Sequence, residues 1–150
     1  MATDIKAKRF TDGTAAAATT IAAAQTLGGA GNMTLAGTAA TFGGTNLGQK
    51  ITLVSTGNIS AVTFTITGTD PTGASQSEDL TGPNASTVTS TKYYNTVTQI
   101  AASGAVGTNT SSGVAADQGG TLFAGRTRVR GMHAVNAGAG TILFNNSSID

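Results

Sequence analysis

Residues 62–67 read Val-Thr-Phe-Thr-Ile-Thr. Apolar and polar side chains alternate with period two, and in an extended strand alternate residues point to opposite faces. One face of this segment must be buried and the other wetted, which demands a sheet with one covered side. Asp70-Pro71-Thr72-Gly73 follows directly. Proline suits the first central position of a turn, and glycine accepts positive φ where the next strand begins. The spacing predicts a hairpin with Gln76–Leu80 as the returning strand. Lys50–Ser55 repeats the signature, with Ile51 and Leu53 on either side of Thr52.

The flanking segments extend this reading. Alanine favours helix, so Ala15–Leu27 has some helical character. Thr19, Thr20, Thr26 and the Gly28-Gly29 stop make strand nearly as good, and the strands that follow favour it. Gly82-Pro83-Asn84 is a second turn. Thr87–Thr91 and Tyr93–Ala101 read as strands, with Tyr94, Thr96 and Thr98 on one face and Tyr93 and Val97 on the other. Ala105–Ala116 is small and polar, and reads as a short edge strand with loops. Val129–Val135, a turn at Asn136–Gly140 and Thr141–Phe144 form another hairpin candidate. Many short strands separated by turns predict an all-β, antiparallel sandwich or barrel. The expected organisation is an N-terminal arm (1–14), a main β domain (15–117) and a C-terminal hairpin module (118–150). The last boundary follows a composition shift near Ala116–Gly120.

Composition bounds the core and the chemistry. Val, Ile, Leu and Phe make up roughly a fifth of the 150 residues, near the level at which disorder sets in. Disorder usually needs high net charge or abundant proline as well, whereas this chain has net charge +1 and two prolines. A folded but thinly cored protein is expected, and burial in an oligomer would complete it. There is no cysteine, which excludes disulfides, thiolate metal sites and cysteine nucleophiles. A single histidine, His133, leaves almost nothing from which to build a triad or a histidine metal site. The near-neutral charge argues against a dedicated nucleic-acid binder. No apolar run reaches the length of about 18 residues that a membrane-spanning helix needs.

Few side chains remain as site candidates. Arg126, Arg128 and Arg130 share one face if their segment is a strand. They read either as a stripe docking on carboxylates or phosphate, or as a solvated face. Lys6, Lys8 and Arg9 read either as an arm reaching a neighbouring subunit or as a charged terminus in solvent. Asp70, Glu78 and Asp79 lack the spacing of a calcium loop, and turn chemistry explains them better. No aromatic sugar platform accompanies them as a glycosidase would require. Gly28-Gly29-Ala30-Gly31 lacks the context of a phosphate loop. Ala22-Ala23-Ala24 resembles a signal-peptidase site, but Asp12, Gly13 and several threonines break the apolar region a signal needs.

Three segments are informative as a set: Thr65-Ile66-Thr67-Gly68-Thr69-Asp70, Glu78-Asp79-Leu80-Thr81-Gly82-Pro83-Asn84 and Thr91-Lys92-Tyr93-Tyr94-Asn95-Thr96-Val97-Thr98. Together they resemble a theme of virion structural proteins of tailed bacteriophages. Residues 25–35 are similar to the segment preceding that theme. Gly125-Arg126-Thr127-Arg128-Val129-Arg130-Gly131-Met132 resembles the opening of a second β module in such proteins. The resemblance spans roughly residues 20–145, where the turn and strand signals fall. Similar chains continue past the strand at 141–144, so the second module is expected to be shortened, completed by a neighbour's strand, or absent.

The resemblance implies a non-enzymatic virion component with no cofactor and no metal. Its expected role is capsid decoration (cement), bridging capsid subunits on the outer shell. The expected partners are the major capsid protein or other virion proteins and further copies of the chain, as a homotrimer or homodimer. Neither nucleic acid nor membrane is expected as a partner. Lys6, Lys8, Arg9, Arg126, Arg128 and Arg130 are the expected interface residues. A tail, head–tail or fibre component is the alternative virion location. A secreted bacterial surface β domain, cleaved after Ala24, is the alternative outside the virion.

Overall fold

A computed structural model describes residues 9–120. Its strands are β1 (Ala17–Leu27), β2 (Gly31–Asn32), β3 (Gly48–Ser55), β4 (Thr63–Thr69), β5 (Ser75–Thr81), β6 (Thr87–Tyr94), β7 (Thr96–Ala102) and β8 (Val106–Gly119). A single 3₁₀ turn occupies Gly37–Ala40. The strands build two four-stranded antiparallel sheets, ordered β1-β8-β3-β6 and β2-β7-β4-β5. The all-β fold is as expected, and of the two expected architectures, sandwich or barrel, the two separate sheets fit the sandwich. Its core holds Ile21, Phe42, Ile51, Leu53, Phe64, Ile66, Tyr94 and Ile100, all fully buried.

The β4–β5 hairpin pairs without a slip from Thr63↔Thr81 to Thr69↔Ser75. Phe64 and Ile66 face the core, and the intervening threonines face outward. At the turn the Gly73 N–H donates to the Asp70 carbonyl at 3.0 Å, and Gly73 takes φ +89°. The proline–glycine pair therefore fixes the register, because a one-residue slip would expose Phe64 and Ile66. Ala15–Leu27 resolves in favour of strand, with Ile21 and Ala22 buried in β1.

Two expectations are corrected. Ala105–Ala116 is no short edge strand. From Val106 on it lies in β8, a 14-residue strand set between β1 and β3. Small residues are a packing requirement here, since a Cβ on Gly113 would overlap the Ala17 carbonyl of β1. The predicted faces of Tyr93–Ala101 also fail, because Tyr94 and Val97 are both buried. The strand breaks at Asn95, where the chain passes from the first sheet to the second and alternation restarts. The Asn95 Nδ2 holds this corner by donating to the carbonyls of Gly44 (2.9 Å) and Leu47 (2.7 Å).

Side chains and loops cover the sheet edges. The Glu78 carboxylate of β5 accepts from the Thr91 N–H and hydroxyl (2.7 Å each) and from the Lys92 N–H (3.1 Å) of β6. The Gln76 amide donates to the Tyr93 carbonyl at 2.6 Å, and Lys92 Nζ donates to the Ser77 carbonyl at 2.6 Å. These bonds clasp one edge of each sheet together. On the other side, the Ala36 N–H donates to the Ile21 carbonyl at 2.7 Å, and Gln25 and Thr34 exchange two hydrogen bonds. Pairing of β1 with β8 is interrupted by three register shifts, and β2 is only two residues long. Bulged, short and covered edges resist strand addition by another chain. The candidate hairpin at 129–144 lies outside the described residues.

Candidate functional site

The first and last long strands, β1 and β8, are antiparallel neighbours. The entry to β1 and the exit from β8 must therefore lie at the same pole of the sandwich. Residues 9–14 run against the loop before β3. The Thr11 N–H donates to the Thr45 carbonyl at 3.2 Å, and the Thr14 N–H donates to the Phe42 carbonyl at 2.8 Å. Buried Gln49 ties entry to exit, its Nε2 donating to the carbonyls of Thr14 (2.8 Å) and Ala115 (3.1 Å). Asn46 touches both ends. Its Nδ2 donates to the Arg9 carbonyl at 2.7 Å, and its own carbonyl lies against Gly120.

Charge gathers at this pole. Residues 9–120 carry eight charged side chains, and six belong to it: Arg9, Asp12, Lys50, Asp70, Lys92 and Asp117. The other two, Glu78 and Asp79, are on β5. The loops at the opposite pole, residues 28–30, 56–61, 82–86 and 103–105, contain no Asp, Glu, Lys or Arg. An open groove of about 310 Å³ at the charged pole is lined by Asp70, Pro71, Gln76, Lys92, Tyr93, Gly119 and Gly120. Lys50 Nζ stands 5.4 Å from the centroid of the Tyr93 ring and 3.4 Å from Asp117 Oδ2. The Lys50–Asp117 pair is exposed enough that water screens most of its attraction.

The structure does not bring the three acidic candidates into one site. Ile66 pairs with Glu78 and Thr65 with Asp79, so the two carboxylates leave opposite faces of β5. Glu78 belongs to the clasp, and Asp79 accepts from the Thr65 hydroxyl at 2.6 Å. Asp70 Oδ1 accepts from the Thr72 hydroxyl and N–H and from the Ala74 N–H. The Thr72 hydroxyl is the main cause holding the Asp70 carboxyl below its ordinary value; burial opposes it, and the turn's backbone N–H groups add to it. Among the described residues no cluster of His, Cys, Asp or Glu could hold a metal. Burial, with the negative charge of Glu78 second, pushes the Tyr94 phenol well above its usual range. Its hydroxyl donates to the Ile66 carbonyl at 3.3 Å, which makes it a core group.

Arg9 is exposed at the charged pole. Lys6, Lys8, Arg126, Arg128, Arg130 and His133 lie outside the described residues. Sequence reasoning missed Gln49 and Asn46, the residues that bring entry and exit together. Neutral amides carry no motif, and only the β1–β8 pairing gives these two their role. Ala22–Ala24 lies inside β1, so cleavage after Ala24 would remove Ile21 and Ala22 from the core. No family model matches the chain, and neither the curated proteins nor the solved structures yield a match.

Proposed function

We propose that this chain is a non-enzymatic structural protein of a tailed-bacteriophage virion that decorates the outer capsid shell and bridges its subunits. The observation carrying this reading is the separation of the described body into two poles. One collects six of the eight charges of residues 9–120 and both ends of that body, and the loops of the other carry none. A body with covered strand edges favours contact through the charged pole over strand addition. The outward threonines and serines of β4 and β5 suit a surface that stays in solvent. The likeness of segments 65–70, 78–84 and 91–98 to phage virion proteins supplies the biological setting. Binding the assembled shell, and not its dissociated subunits, would stabilise it by mass action. A stable contact of this kind buries roughly 1,200–2,000 Å². Dimers or trimers of the chain would supply the bridging.

The test is the copy number of the chain per purified particle, by quantitative mass spectrometry against the major capsid protein. Decoration predicts copies in a simple ratio to the capsid protein. A count on the order of a single symmetric ring would move the chain to the tail or head–tail junction. Absence from particles would refute the virion reading and favour a secreted surface domain.

A further inference from the structure

We infer that residues 9–14 form an exchangeable strap, and that crowded copies of this chain link by seating each other's straps. The inference rests on the proposed function only for the setting that crowds the copies. Its physical basis is a seat that closes without core burial. Among the described residues the core cluster begins at Ile21, so the strap contributes none of its side chains. Hydrogen bonds hold the strap down. The Thr11 and Thr14 N–H groups donate to the carbonyls of Thr45 and Phe42, and Thr11 Oγ1 accepts from the Thr45 N–H at 2.7 Å. The carbonyls of Arg9 and Thr14 accept from the side chains of Asn46 and Gln49. Such a strap can leave its seat while the sandwich stays folded.

Closure carries a penalty that the open strap lacks. Gln49 is 1% exposed, and its Oε1 lies against Gly13 with no hydrogen-bond partner. A buried acceptor left unpaired loses its hydration. Opening the strap returns water to it, which offsets part of the bonds given up. The hinge is short as well. Thr14 is fixed by its bonds to Phe42 and Gln49, and Ala17 pairs with Val114, so only Ala15 and Ala16 join the strap to β1. A short hinge limits how freely the strap folds back on its own body, the condition that invites exchange between copies. The seat also selects its occupant. A Cβ on residue 13 would overlap Gln49 Oε1 and the Phe42 carbonyl, and a Cβ on residue 44 would overlap the Thr11 carbonyl. The seat therefore takes a segment with glycine opposite Gln49, which every copy of this chain carries, and exchange repeats the same contacts. A short hinge gives self-closure an effective concentration of about a millimolar. Dilute copies close on themselves, and copies crowded to that level exchange.

Disulfide trapping in the full chain tests the exchange, because the chain has no cysteine and introduced thiols report only their own contacts. T11C and T45C chains, one of them isotope-labelled, are mixed at about 1 mM, oxidised, and counted as mixed dimers by mass spectrometry. The double variant T11C/T45C, kept dilute, should close within one chain, since the Thr11 side chain already meets the Thr45 backbone. Exchange predicts mixed dimers at least about tenfold above those of T11C with S60C, whose thiol sits in an exposed loop of the neutral pole. G44A in the T45C chain blocks the seat and should return the yield to that background. N46G still allows the positive φ of residue 46 but removes the bond to Arg9, and should lower the yield. Circular dichroism checks that the variants stay folded. Mixed dimers at background, dimers indifferent to both seat variants, or a double variant that fails to close would overturn the exchange. Exchange by a chain absent from particles would leave the strap standing and refute the virion reading. Particles that carry both variants and trap dimers only at background would do the reverse.

Discussion

Replacing Glu78 with alanine opens the seam between β5 and β6. The wild-type carboxylate accepts three hydrogen bonds, at 2.7, 2.7 and 3.1 Å, from Thr91 and Lys92. Bonds to a charged acceptor contribute about 1.5–3 kcal/mol each when water cannot replace them. Thr91 and Lys92 are exposed, so water recovers much of that, and a total near 2 kcal/mol is expected for E78A. For a body of this size the thermal midpoint should fall by about 8 °C. E78Q should cost less, because its amide oxygen still accepts from Thr91 while its NH₂ group opposes the Lys92 N–H. Urea denaturation gives the free energy, and hydrogen exchange at the Thr91 and Lys92 amides locates it. A loss under about 0.5 kcal/mol with exchange at both amides unchanged would refute the clasp, since ordinary surface substitutions fall in that range.

Three further outcomes follow from the packing. G113A should destabilise the body by about 2–4 kcal/mol by forcing β1 off β8, read as a lowered urea midpoint; a neutral result would contradict their close approach. Y94F keeps the ring and loses the bond to the Ile66 carbonyl, so thermal denaturation should show a cost of about 0.5–1.5 kcal/mol. Asp70 is held below its ordinary value of 3.8, so its contribution is present above that pH and lost as pH falls through the lower, folded value. D70N should therefore be less stable than the wild type near neutrality and approach it in acid, measured as denaturation midpoints against pH.

The hairpin of β4 and β5 was legible because two independent signals agree, the Val62–Thr67 alternation and the Asp70–Gly73 turn. β8 was misread because Ser111, Ser112 and Gly113 look like edge composition, whereas small size is what admits β1 beside an interior strand. Alternation carried through Asn95 misplaced Tyr94 against Val97, since a strand that changes sheets restarts its phase. The clasp was hidden for another reason. Glu78 lies 13 residues from Thr91, and only the crossover after β5 brings them together. The charged pole is a property of topology. Lys50, Lys92, Asp117 and Arg9 are scattered in sequence and gather because strands alternate in direction.

The most direct measurement is a hydrogen-exchange footprint of the full chain bound to purified particles, compared with the free chain. The account predicts slowed exchange at the charged pole, in residues 9–14, 42–50, 92–95 and 115–120, with loops 56–61, 82–86 and 103–105 unchanged. Slowed exchange confined to those neutral loops would contradict it.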